Sequence, residues 1–111
     1  MKLIIAIVQP FMAPDVDRAL HAAEGVTGAT YTDVRGFGRA RRGGASTGDA
    51  VSDEVSKVRI EVVVRDERAS DVAQLIRDAA HTGNRGDGKV FVLAVERAMR
   101  IASDEEGDNV V

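Results

Sequence analysis

The sequence has no cysteine, no tryptophan, two prolines and only 4% aromatic residues across 111 positions. Without cysteine there is no thiol nucleophile, no thiolate metal site and no disulfide scaffold. So few aromatics leave no stacking platform for nucleic-acid bases. A charge excess is also missing: 18 acidic groups stand against 15 basic ones, a formal net charge of -3. The chain as a whole is therefore no electrostatic match for nucleic acid or an anionic membrane. Long apolar runs are absent too. The longest, Leu3 to Val8, is far below the roughly 20 residues of a membrane span, and Gln9-Pro10 ends it with no small-residue cleavage site behind it. These absences predict a cytoplasmic protein of one domain, residues 1–111, that binds no nucleic acid, inserts into no membrane, and folds without structural metal.

What is present alternates between strand and helix patterns. Residues 2 to 8 are β-branched and apolar on both faces, as in a strand covered on two sides. Pro14 opens a helix whose apolar positions, Val16, Ala19, Leu20 and Ala23, fall on one stripe before Gly25. Residues 29 to 35 read as a second strand. Val58, Ile60, Val62 and Val64 alternate in a third, and Val72, Leu75, Ile76 and Ala79 mark a second helix with Asp66 as N-cap and Gly83 as stop. A fourth strand covers 89 to 95, and the acidic residues 103 to 111 read as a loose tail. The order β-α-β, loop, β-α-β predicts an α+β ferredoxin-like fold, βαββαβ. Both helices cover one sheet face, so the apolar second face predicts a homo-oligomer.

Between Gly36 and Ser56 lie five glycines, four serines and threonines, and three arginines, with no apolar period. Loops this long in a small domain are usually functional, and this composition cannot bury enough apolar surface to order itself. Arg41, Arg42, Gly43, Ser46, Thr47 and Asp49 are the candidate partner contacts within a loop of about 39–56.

Residues 83 to 89, Gly-Asn-Arg-Gly-Asp-Gly-Lys, have the spacing of a phosphate-binding loop. Val90 replaces the magnesium-binding hydroxyl, and the segment runs from helix into strand, the reverse of the P-loop context. Its glycines can still bring backbone N–H groups to an anion beside the Lys89 ammonium. An ordinary glycine-rich turn is the alternative. Arg35-Gly-Phe-Gly matches half of an RNA-recognition signature, but Arg39-Ala-Arg-Arg replaces its aromatic half. His21 and His81 lack partners at metal-ligand spacing, and the carboxylate pairs Asp15/Asp17 and Asp66/Glu67 are explained by helix starts. Neither a metal site nor a catalytic constellation is predicted.

Four segments, Ile7-Val-Gln-Pro-Phe11, Thr32-Asp-Val-Arg-Gly-Phe-Gly-Arg39, Lys57-Val-Arg-Ile-Glu-Val-Val-Val64 and Thr82-Gly-Asn-Arg-Gly-Asp-Gly-Lys-Val-Phe-Val92, together resemble the PII signal-transduction proteins. The resemblance implies a homotrimer that binds ATP or ADP, with AMP as a further candidate and magnesium only alongside ATP, in clefts between subunits. It also implies regulation of an unidentified target, a membrane transporter or an enzyme, through the long loop, in nitrogen control or a related pathway, with no enzyme activity. Gly86, Asp87, Gly88 and Lys89 match the phosphate loop of the family, Gly38 and Arg39 its contacts at the loop base, Thr30 and Val63 its adenine side, and Arg100 one of two phosphate-clamping arginines. Ala102 stands at the second arginine's position, which implies weaker preference for ATP over ADP or AMP. Members that sense 2-oxoglutarate use a glutamine where this chain has Ala40, so that ligand is expected to bind weakly although Lys57 matches a ligand-contacting lysine. The modifiable loop tyrosine is missing, since the one tyrosine is Tyr31. A ligand-unresponsive adaptor trimer of the same fold is the rival expectation.

Overall fold

A computed structural model describes residues 1–38 and 54–111. The partner-contact candidates Arg41, Arg42, Gly43, Ser46, Thr47 and Asp49, together with Arg39 and Ala40, lie outside the described residues. Among the described residues, four strands, β1 (Lys2–Val8), β2 (Thr30–Gly36), β3 (Val55–Val64) and β4 (Gly88–Ala94), pack with two helices, α1 (Ala13–Ala22) and α2 (Asp66–Ala80). The sheet order is β2-β3-β1-β4, antiparallel throughout. This is the α+β ferredoxin-like arrangement expected from the repeated β-α-β pattern.

Side-chain alternation along the strands decides which face is the core. Ile4, Ala6 and Val8 on β1 lie beside Val62, Ile60 and Val58 on β3, and all six are buried beneath Val16 and Leu20 of α1 and Ala69, Val72 and Ile76 of α2. The opposite face carries Leu3, Ile5 and Ile7, Val63, and the exposed Phe91 and Leu93 of β4. Among the described residues no helix covers it, and only the C-terminal segment approaches it, beside Leu3 and Val63. Both faces of β1 are thus apolar, and the two helices cover one of them.

Several boundaries differ from expectation for local reasons. β3 starts at Val55 rather than Val58, because Val55, Ser56 and Lys57 continue the ladder opposite Gly36, Arg35 and Val34. Asp66 is the first residue of α2, not its cap; Arg65 holds the extended cap position, and the Asp66 carboxylate accepts a hydrogen bond from the Met1 amino group at 2.7 Å. That bond, with the charge of the same amino group, holds Asp66 below the usual carboxylate range. α2 stops at Ala80, with His81 already extended, before Gly83 adopts φ of +87°. Residues 103–111, expected as a loose tail, instead fold back. Glu106 bridges to Met99, Gly107–Val110 forms a short 3-10 turn, and Arg65 donates to the Asp108 carbonyl at 3.2 Å. Among the described residues, no helix is long and apolar enough to cross a membrane.

Candidate functional site

The loop Thr82–Asp87 between α2 and β4 is closed by one carboxylate. Asp87 Oδ2 accepts from the backbone N–H of Thr82 at 2.7 Å and of Gly83 at 3.2 Å, while Oδ1 accepts from the Thr82 hydroxyl. The Thr82 hydroxyl in turn accepts from the Asn84 N–H at 3.1 Å. These bonds stabilise the ionised form, the Thr82 hydroxyl most, and hold Asp87 below the usual carboxylate range. His81 Nδ1 lies 3.7 Å from Asp87 Oδ2. In this arrangement Asp87 shapes the turn, and its oxygens face the chain's own N–H groups.

Two glycines of the loop are fixed by geometry. Gly88 has φ of +111°, and a Cβ there would overlap the Ile7 carbonyl on the paired strand. At Gly86, φ of +83°, a Cβ would lie 3.3 Å from Gln9 Nε2 and 3.7 Å from Lys57 Nζ. Lys57 Nζ donates to the Gly86 carbonyl at 2.6 Å. This bond links the root of the long loop to the glycine-rich turn. The sequence offered Lys57 only through its family match; nothing local in the chain ties residue 57 to residue 86. Gly88, Lys89, Ile7, Arg77 and His81 then line a cleft of about 410 Å³ at this end of the sheet.

Thr30 and Val63 lie elsewhere. With Glu61, Gly28, Arg97 and Val111 they line a second hollow, of about 610 Å³, against the C-terminal segment. Strand register puts Thr30, Val63 and Lys89 on the same open sheet face: Lys89 is opposite Ile7, Val63 opposite Leu3, and Thr30 opposite Glu61. Yet Thr30 is on one outer strand and Lys89 on the other, three strand spacings or about 14 Å across the sheet and two residues further along it, because Thr30 falls in line with Phe91. One chain does not bring the two halves together. Gly38 is exposed beyond the end of β2.

Arg100 belongs with the second hollow's segment, where Met99 pairs with Glu106. Its Nε donates to Glu105 at 2.8 Å. Arg97, which belongs to none of the motifs above, donates through Nε and Nη2 to Glu106 at 3.2 and 3.0 Å. The signal for it was the Arg-x-x-Arg spacing ahead of Glu105-Glu106. Tyr31 on β2 donates its hydroxyl to Asp17, and burial first, then that bond, pushes its pKa up to about 12. Among the described residues, no group of three or more His, Cys, Asp or Glu side chains could hold a metal ion.

Comparison with known proteins gives one consistent result. The family model described as nitrogen regulatory protein P-II matches residues 1–105. The chain is 41% identical over 117 aligned positions to nitrogen regulatory protein P-II of Azospirillum brasilense, covering all of both chains. It is 43% identical over 113 positions to that of Rhizobium meliloti, covering 96% of each. Nitrogen regulatory protein P-II 1 of Escherichia coli K12 is 42% identical over the whole of both chains.

Proposed function

Since the chain belongs to the nitrogen regulatory protein P-II family, we propose that it is a cytoplasmic, non-enzymatic signalling regulator that binds adenine nucleotide in clefts between the subunits of a homotrimer. The carrying observation is the separation of the site's two halves. Gly88 and Lys89 of β4, with Gly86 just before them, offer an anion-receptive edge at the first cleft, whereas Thr30 of β2 and Val63 of β3 line the second hollow, beside the segment that carries Arg100. A second copy that sets its β2 edge against the first copy's β4 edge completes the site and also covers the apolar face. Asp87 serves the cleft by holding the turn, so the phosphates are met by backbone N–H groups and Lys89. Gly38 and Arg39 sit in sequence where the long loop leaves β2, so nucleotide contacts there would bias the loop that meets the target protein.

The ligand is ATP or ADP, with AMP accepted, and magnesium accompanies ATP alone. 2-oxoglutarate binds weakly: Ala40 supplies no metal ligand, and the Lys57 ammonium already serves the Gly86 carbonyl. Isothermal calorimetry with ATP, ADP and AMP tests the reading. Saturable heat at one site per chain supports it. No heat with any of the three would leave only the adaptor trimer.

A further inference from the structure

The cations beside the second hollow are both neutralised within the chain. Arg97 is bonded to Glu106 and Arg100 to Glu105, and the Arg100 N–H also donates to the Glu105 carbonyl at 3.0 Å. The Glu105 side chain is itself placed. Ser103 Oγ donates to its Oε1 at 3.1 Å and accepts from its backbone N–H at 3.2 Å. The other side of the Arg100 guanidinium reaches the Asn109 carbonyl at 3.4 Å. The two arginine charges are therefore matched by two glutamates, and Glu61, which lines the same hollow, leaves no excess of positive charge at the edge that the proposed trimer would set against a second copy's Lys89.

We propose that Glu105 is the specificity-determining residue of this cleft: by holding Arg100 it lowers the extent to which affinity rises with phosphate number. The proposal rests on the nucleotide reading above. Each added phosphate brings about one more negative charge at neutral pH, and discrimination by charge requires a cation whose charge is not already cancelled nearby. The Arg100 and Glu105 side chains are 45% and 50% exposed, so their pair is weak enough to open for a phosphate. Glu105 nevertheless remains tethered by Ser103 after opening, and its charge stays close to the incoming phosphates. Its penalty grows from AMP to ATP. With alanine at position 102, the segment's arginines are Arg97 and Arg100, and Arg100 is the one whose glutamate partner is fixed by Ser103.

The test is calorimetric titration of the full-length protein with AMP, ADP and ATP, using Glu105→Gln, which keeps shape and removes charge. ATP affinity should rise about fivefold, ADP less and AMP by less than about twofold, and the gain should shrink as salt is raised. In an Arg100→Ala background the same substitution should raise the ATP-to-AMP ratio by clearly less than it does in the parent. Thermal unfolding of each variant checks that the trimer is intact. An unchanged ratio in Glu105→Gln, or the same gain with Arg100 removed, overturns the role of Glu105 while leaving the nucleotide site standing. Absence of binding to any nucleotide by the unsubstituted protein overturns both.

Discussion

At Gly88 a backbone angle and a neighbouring oxygen forbid any side chain, because φ is +111° and the Ile7 carbonyl occupies the Cβ position. Gly88→Ala should therefore lower stability by about 2 kcal/mol or more and deform the turn, as denaturant unfolding and nucleotide titration will register together. Asp87 acts at the same turn through its charge. Its folded-state pKa is depressed by the Thr82 hydroxyl first and then by the backbone N–H bonds. The stabilisation is thus fully present above the unfolded carboxylate value of about 4 and is lost as pH falls through the lower folded value. Unfolding curves of the parent and Asp87→Asn should differ by a constant amount above about pH 4 and converge below it. A constant difference down to the lowest pH would show that the carboxylate's ionisation contributes nothing. Sequence spacing marked Gly86, Gly88 and Lys89 as candidates for an anion-receptive run, but it could not show the carboxylate of Asp87 turned inward onto Thr82. That orientation depends on where the chain re-enters the sheet.

The elements were legible in proportion to their apolar period. Alternation at Val58, Ile60, Val62 and Val64 identified the core face of β3, and those four side chains are buried. The stripe Val72 and Ile76 did the same for α2, with Leu75 and Ala79 at its margin. Boundaries were less legible because tertiary pairing sets them. Val55 to Lys57 look like loop by composition and become strand only because Val34 to Gly36 pair with them. Asp66 has the composition of a cap but is drawn instead to the Met1 amino group across the fold. The acidic C-terminal segment is held by arginines 97 and 100, and the only local hint of it is the Arg-x-x-Arg spacing ahead of Glu105-Glu106. The sheet itself supplies the sharpest test of the core assignment. Ile60 is solvent-free at the centre of β3, so Ile60→Ala should cost about 3 kcal/mol in chemical denaturation, through lost burial and the cavity left behind. A cost below about 1 kcal/mol would mean the two helices do not pack on this face in solution.

For the whole molecule the open sheet face and the proposed division of the nucleotide site make the same demand for another copy. The mass in solution should be about three times that of the 11.8 kDa chain by light scattering, and a charged residue at Phe91, half exposed on the open face, should shift it toward monomer. Where the cleft lies can be tested more directly by mixing subunits. On the proposed reading Lys89→Ala would remove a charge-assisted phosphate contact and should weaken nucleotide binding by about 2 kcal/mol, and Arg100→Ala should act similarly. Each substitution alone damages every cleft. If Lys89 and Arg100 of one cleft come from different chains, unfolding and refolding an equal mixture of the two variants produces mixed trimers. In any of these, one cleft joins the Lys89 of an Arg100→Ala subunit to the Arg100 of a Lys89→Ala subunit. Random assembly restores about a quarter of all clefts to full affinity, a fraction that calorimetry reads as stoichiometry. Were the site built within one chain, every cleft in the mixture would still carry one lesion, and no tight fraction would return.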